Sequence, residues 1–91
     1  MYELHLTNKF KRDFKKCQRQ NKNMQKLRGI LELLTEGETL PVNNRDHSLT
    51  GNYIQHRECH IEPDWLLIYR INEDESLIEL IRTGSHSDLF G

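Results

Sequence analysis

The sequence predicts an α+β fold: an antiparallel sheet with an N-terminal strand and a two-helix hairpin packed on it, in the order β-α-α-β-β-β. Three observations carry that expectation. The chain opens on a short period-two pattern, continues through two apolar stripes of helical period, and returns to period two after residue 52.

The first strand is "YELHL", where Tyr2, Leu4 and Leu6 alternate with polar neighbours. Thr7 follows as a candidate N-cap, its hydroxyl free to accept an orphan helix N–H. In the first helix Phe10, Phe14 and Cys17 recur at i, i+4 and i+7, while Arg12, Lys15, Lys16 and Arg19 lie on the opposite, solvated face. "QNKN" interrupts the pattern. Asn23 can cap a second helix, whose stripe of Met24, Leu27, Ile30, Leu31 and Leu34 ends near Gly37, a residue suited to the left-handed C′ position.

"EGETLPVNNRDHSLTGN" is loop chemistry, with Pro41, Asn43, Asn44, Gly51 and Asn52 favouring turns. Tyr53 to Ile61, Trp65 to Ile71 and Leu77 to Arg82 then read as three strands, the last two joined by the acidic turn "NEDES". The tail "TGSHSDLFG" is too short for a further helix of any length.

A chain of 91 residues fits one domain, 1–91, able to bury roughly 60–70% of its unfolded surface in one modest core. "MYELHLT" has neither the basic start nor the apolar run of a signal peptide, and no stretch approaches the ~18 apolar residues of a membrane span. A cytoplasmic protein with no membrane contact is expected. Cys17 and Cys59 share no CxxC spacing and read as ordinary buried thiols.

The net charge of −1 conceals an uneven distribution. Residues 1–35 carry nine Lys/Arg against three Asp/Glu; residues 36–91 carry four against eleven. The first third is thus a basic module, either a solvated surface or one that tracks an RNA backbone.

"HIEPDWLLIY" joins two chemistries. Trp65 to Tyr69 is the apolar run of a strand covered on both faces, while His60, Glu62 and Asp64 crowd its entrance beside Pro63. If the three later strands are neighbours, His60, Asp64 and Arg82 converge. His86 can fold back over them and His47 can reach in from the loop. Imidazoles titrate near 6.5, so one can accept and another donate a proton at neutral pH, and a guanidinium can hold phosphate oxygens. These are the parts for metal-free RNA cleavage, in which the substrate's 2′-hydroxyl attacks the adjacent phosphate. The three histidines and Asp64 also suffice in number for a zinc tetrahedron, without the short ligand spacing that marks one. Trp65 alone reads as core and Phe90 as a cover for the sheet edge, although both are able to stack on unpaired bases. His5 and His56 fall within predicted strands and carry no assigned role, and Glu62 is left between surface charge and support of the site.

Taken in order, "RDHSLTGN", "RECHIEPDWLLIY" and "IRTGSHSDLFG" resemble the signature of the YafQ-type toxins in the RelE/ParE superfamily of toxin–antitoxin systems. The resemblance covers essentially the whole chain. It implies a ribosome-dependent endoribonuclease that enters the A site and cuts messenger RNA without a cofactor. It further implies neutralisation by an antitoxin of the DinJ/RelB kind, with operator DNA contacted only through that antitoxin. The resemblance places the catalytic histidines at His47, His60 and His86, the carboxylate at Asp64 and the phosphate-binding arginine at Arg82. Trp65 and Phe90 become substrate-binding positions, and Arg12, Lys15, Lys16 and Arg19 gain a reading as contacts to ribosomal RNA. In these terms His86 is the general acid, Asp64 or a histidine the base, and Arg82 the stabiliser of charge. The rival from another class is a non-catalytic binder on the same fold, like the gyrase-poisoning ParE branch, which has no need of converging imidazoles.

Overall fold

The computed structural model describes residues 1–91. In chain order the elements are β1 (Glu3–Leu6), α1 (Asn8–Arg19), α2 (Met24–Thr35), β2 (His47–Ser48), β3 (Arg57–Glu62), β4 (Trp65–Asn72), β5 (Leu77–Gly84) and α3 (His86–Phe90). The strands form one five-stranded sheet in the order β1-β5-β4-β3-β2.

Local chemistry sets the helix ends as anticipated. The Thr7 hydroxyl accepts from the Phe10 N–H, and the Asn23 carboxamide accepts from the Gln25 N–H. α2 stops in a Schellman motif: the N–H of Glu38 donates to the Leu33 carbonyl and that of Gly37 to Leu34, with Gly37 at φ +73°.

Four features depart from the sequence reading. The sheet is not wholly antiparallel, because β1 runs parallel to β5. The helical hairpin returns the chain across the sheet, so β3 enters in the direction of β1 and two antiparallel steps bring β5 into that direction too. The strand expected from Tyr53 begins only at Arg57, and His56 lies ahead of it. The chain there adopts positive φ at Gly51 and Gln55, which strand residues do not. Within the expected loop, His47 and Ser48 pair with Glu58 and Arg57 as the short edge strand β2. Finally, the tail does form a one-turn helix. Its shortness is offset by a capping box, in which the Ser85 hydroxyl accepts from the Asp88 N–H and the Asp88 carboxylate accepts from the Ser85 N–H, and by a Lys16–Asp88 ion pair of 2.9 Å to α1.

The two faces of the sheet differ in purpose. Cys59, Ile61, Trp65, Leu67, Tyr69, Ile78 and Leu80 point to the helical hairpin and form the main core with Phe10, Cys17, Leu27, Ile30 and Leu34. Burial pushes the Cys59 thiol up to about 12 and raises that of Cys17, so both stay protonated at neutral pH. The opposite face carries a smaller apolar cluster of Leu66, Ile68 and Leu89, backed by Leu49, Tyr53 and Ile81. Between Ile68 and Tyr69 the β4–β5 register shifts, leaving Ile81 unpaired as a bulge, so that Ile68 faces Arg82. That one-residue offset puts Arg82 on the second face.

Candidate active site

Strand alternation builds the site on the face away from the helices. Glu58 and His60 project there from β3, opposite Ile68 and Leu66 of β4. β2 adds His47 beside Glu58, and the bulge adds Arg82 beside Ile68. α3 starts over the same region and supplies His86.

The three histidines stand in a row. The rings of His47 and His60 lie 6.3 Å apart, and those of His60 and His86 lie 5.8 Å apart. Each is anchored through Nδ1 to an acceptor: His47 to the Arg45 carbonyl at 2.6 Å, His60 to the Pro63 carbonyl at 3.2 Å, and His86 to Asp64 Oδ1 at 2.6 Å. Carbonyls and carboxylates only accept, so Nδ1 carries the hydrogen in all three, and Nε2 is left as the atom that takes or gives a proton. Arg45 sits at φ 47° and ψ 44°, a left-handed conformation uncommon for arginine, between the 3₁₀ turn at 42–44 and His47.

Asp64 occupies the tight β3–β4 turn with Pro63, which explains the mixed character of "HIEPDW". Its Oδ1 also accepts the backbone N–H of His86 at 2.9 Å. The backbone and side-chain hydrogen bonds of His86, followed by its charge and that of Lys22, hold the Asp64 carboxyl below the usual value of 3.8. A carboxylate so stabilised is a poor proton acceptor at neutral pH and a good orienting group for an imidazolium.

Arg82 reaches the expected face, but its guanidinium is held by Asp13 of α1 rather than by the histidines. Nε and Nη2 donate to Asp13 at 2.6 and 3.1 Å, and the same carboxylate accepts the Thr83 N–H at 3.1 Å. β1 ends at Leu6 beside Leu80, so the last part of β5 has no strand neighbour on that edge. Thr7 and Asp13 supply the missing partners. Hydrogen bonding to Asp13 raises the Arg82 pKa further above 12.5, and two donated hydrogens leave three of its five free.

The two aromatic positions separate. Trp65 is fully buried, and its Nε1–H donates to Thr83 Oγ1 at 3.0 Å. Its ring face is committed to the core, so the expectation that it stacks on substrate is corrected. Phe90 is 51% exposed, meets Tyr53 edge-on at 6.1 Å, and lines an open hollow with Thr50, Asn52 and Leu89. Arg12, Lys15, Lys16 and Arg19 are exposed along α1, Lys16 being paired with Asp88. No group of three or more His, Cys, Asp or Glu comes close enough together to enclose a metal ion.

With this geometry in view, comparison with known proteins is decisive. Residues 2–91 match the family model described as the bacterial toxin of type II toxin–antitoxin system, YafQ. The chain belongs to the YafQ family. It is 36% identical to the mRNA interferase toxin YafQ of Escherichia coli K12 over 90 residues, which span 98% of this chain and 96% of that protein. It superposes on YafQ of the E. coli DinJ–YafQ complex with a TM-score of 0.90 at 35% identity, covering 100% of both chains. A metal-bound toxin from Helicobacter pylori gives a TM-score of 0.93 at 34% identity, covering 99% of this chain and 100% of that one.

In this YafQ-family chain the structure adds site residues that the sequence reading passed over. Glu58 is the foremost. Buried between two histidines, it brings Oε1 to 3.4 Å from His47 Nε2 and 3.8 Å from His60 Nε2, while its Oε2 is buried without any partner. In sequence it is one of several acids beside strand residues; only the pairing of β2 with β3 makes it the acid between imidazoles. Asp13 was hidden on a basic helix, 69 residues from Arg82. Asn44, read as a turn residue, donates Nδ2 to the His60 carbonyl at 2.7 Å.

Proposed function

We propose that this YafQ-family chain is a single-domain toxin, residues 1–91, acting in the cytoplasm as a ribosome-dependent endoribonuclease that cleaves messenger RNA in the A site. An antitoxin of the DinJ kind neutralises it, as suggested by the E. coli DinJ–YafQ complex. The observation that carries the catalytic reading is the row of three imidazoles, each anchored at Nδ1 and presenting Nε2.

The chemistry follows from those atoms. His60 Nε2 accepts the proton of a substrate 2′-hydroxyl, whose oxygen attacks the adjacent phosphorus. The free N–H groups of Arg82 donate to the phosphate oxygens as negative charge builds in the pentacoordinate transition state. His86, as an imidazolium oriented by Asp64, gives its Nε2 proton to the departing 5′-oxygen. The products are a 2′,3′-cyclic phosphate and a 5′-hydroxyl end. Asp64 thereby becomes a positioning group and the base role passes to a histidine. Glu58 gives an acceptor to whichever neighbouring Nε2 has taken the proton. Phe90 offers a face to a base, and exposed Arg12, Lys15 and Arg19 face the ribosomal RNA backbone.

The test is cleavage of messenger RNA on programmed ribosomes. His86→Ala and His60→Ala should each lose roughly 10²–10⁴ in rate; variants that cleave and poison growth like the parent would end the nuclease reading.

A further inference from the structure

The α1–α2 turn, the 43–45 segment and the β3–β4 turn together enclose a cavity of about 620 Å³, with His60 and Asp64 on its wall. That volume lies within the range of ordinary ligand sites, but only two of its twelve lining residues are hydrophobic. Its charges are not self-cancelling. Lys26 is neutralised by Glu62 at 2.9 Å, and Asp64 is engaged by His86. Lys22 and Arg45 line it without any carboxylate partner.

Lys22 is the more telling of the two. It is half-buried, with Nζ 5.6 Å from the centroid of the Trp65 ring. A lysine stem packed on an aromatic loses freedom, and its ammonium is aimed rather than free to roam. Arg45 enters from the other wall in its left-handed conformation, and Asn43 beside it is exposed with an unused carboxamide able both to donate and to accept. Two aimed cations and an amide around a polar hollow match one phosphodiester and the edge of one base.

We propose that this cleft is a nucleotide subsite of the RNA strand, in which Lys22 and Arg45 hold a flanking phosphate and Asn43 meets the base edge. The inference rests on the nuclease reading and extends it. Because His60, the base for the 2′-hydroxyl, forms part of the wall, the cleft receives the strand on the 5′ side of the scissile phosphate. The hollow beside Phe90, at the far end of α3, receives the 3′ side.

The experiment is an NMR titration of the full chain with a 2′-O-methyl trinucleotide, which cannot be cleaved, repeated at several salt concentrations. The test variant is Lys22→Gln combined with Arg45→Asn, asparagine being chosen because it tolerates left-handed backbone. Amide shifts at residues 22 and 43–45 are expected. The double variant should bind at least tenfold more weakly, and its slope of log K against log salt should be shallower by about 1.4, from ~0.7 for each phosphate contact on a single strand. Equal thermal unfolding of the two proteins shows that the fold is intact. Shifts confined to the Phe90 side, or an unchanged salt slope in the double variant, would overturn the subsite. Ribosomal cleavage by the unmodified chain is a separate arm. Its absence alongside cleft binding would remove the nuclease reading and leave an RNA-binding cleft.

Discussion

Asp64 and His86 are locked together across 22 residues of chain, with one carboxylate oxygen accepting both the His86 Nδ1–H at 2.6 Å and the His86 backbone N–H at 2.9 Å. The first bond orients the imidazole and the second pins the start of α3 to the β3–β4 turn. Asp64→Asn keeps the shape but can offer only a neutral oxygen, so cleavage should fall by roughly 10²–10⁴ while the fold survives. Stability carries its own signature. The folded-state pKa of Asp64 is lowered from 3.8, so its contribution is fully present above that value and disappears as pH falls through the lowered one. Urea midpoints of the parent and Asp64→Asn should differ at pH 6 and converge in the acid range. A difference that grows on acidification would contradict the assignment.

Asp13 holds three donors from Arg82 and Thr83 at the end of β5 that no strand covers. Asp13→Ala should therefore cost about 1–3 kcal/mol in chemical denaturation, and it should also impair cleavage by releasing Arg82. Asp13→Asn should recover part of the stability, because a carboxamide oxygen still accepts the Thr83 N–H. If neither substitution affects turnover, Arg82 does not need to be held.

Phe90 and Trp65 should behave oppositely despite their shared sequence reading. Base stacking is worth roughly 1–3 kcal/mol, so Phe90→Ala should lower kcat/KM about tenfold or more with an unchanged unfolding midpoint, and Phe90→Tyr should restore it. Trp65→Phe removes the Nε1 hydrogen bond to buried Thr83 and should destabilise by about 1–2 kcal/mol with little change in KM. Thermal unfolding and cleavage kinetics on the same pair of variants separate the two roles.

Legibility in the sequence followed the range of the interaction. Helix caps at Thr7 and Asn23 and the Gly37 stop depend on neighbours within four residues, and they were readable. The strands of the β3–β4–β5 meander were readable too, because period two reports a half-buried surface. What escaped depends on register. A single bulge at Ile81 decides which face Arg82 occupies, and the pairing of His47 with Glu58 decides which acid sits among the histidines. Neither has a signal along the chain. The parallel entry of β1 likewise follows from where the helical hairpin sets the chain down, and the one-turn α3 stands on a cap and an ion pair rather than on length.

His47 sits between two residues that are clamped from the sheet. Asp46 accepts the Tyr69 hydroxyl and the Nε and Nη2 hydrogens of Arg57, whose Nη1 donates to Ser48 Oγ at 2.9 Å. The anchor is stiff, since Tyr69 is buried in the core and burial raises its pKa together with the Asp46 contact. The loop carrying His47 is otherwise an edge strand of two residues, too short to hold an imidazole in place by its own ladder. Tyr69→Phe should thus lower the cleavage rate several-fold without touching any group that meets substrate. A purely structural defect would act regardless of which residue stands at 47. A positioning defect would not, so Tyr69→Phe should have little further effect once His47 is Ala. Measuring the four corners of that cycle on programmed ribosomes decides the matter, because additive losses would mean that the clamp serves the fold alone.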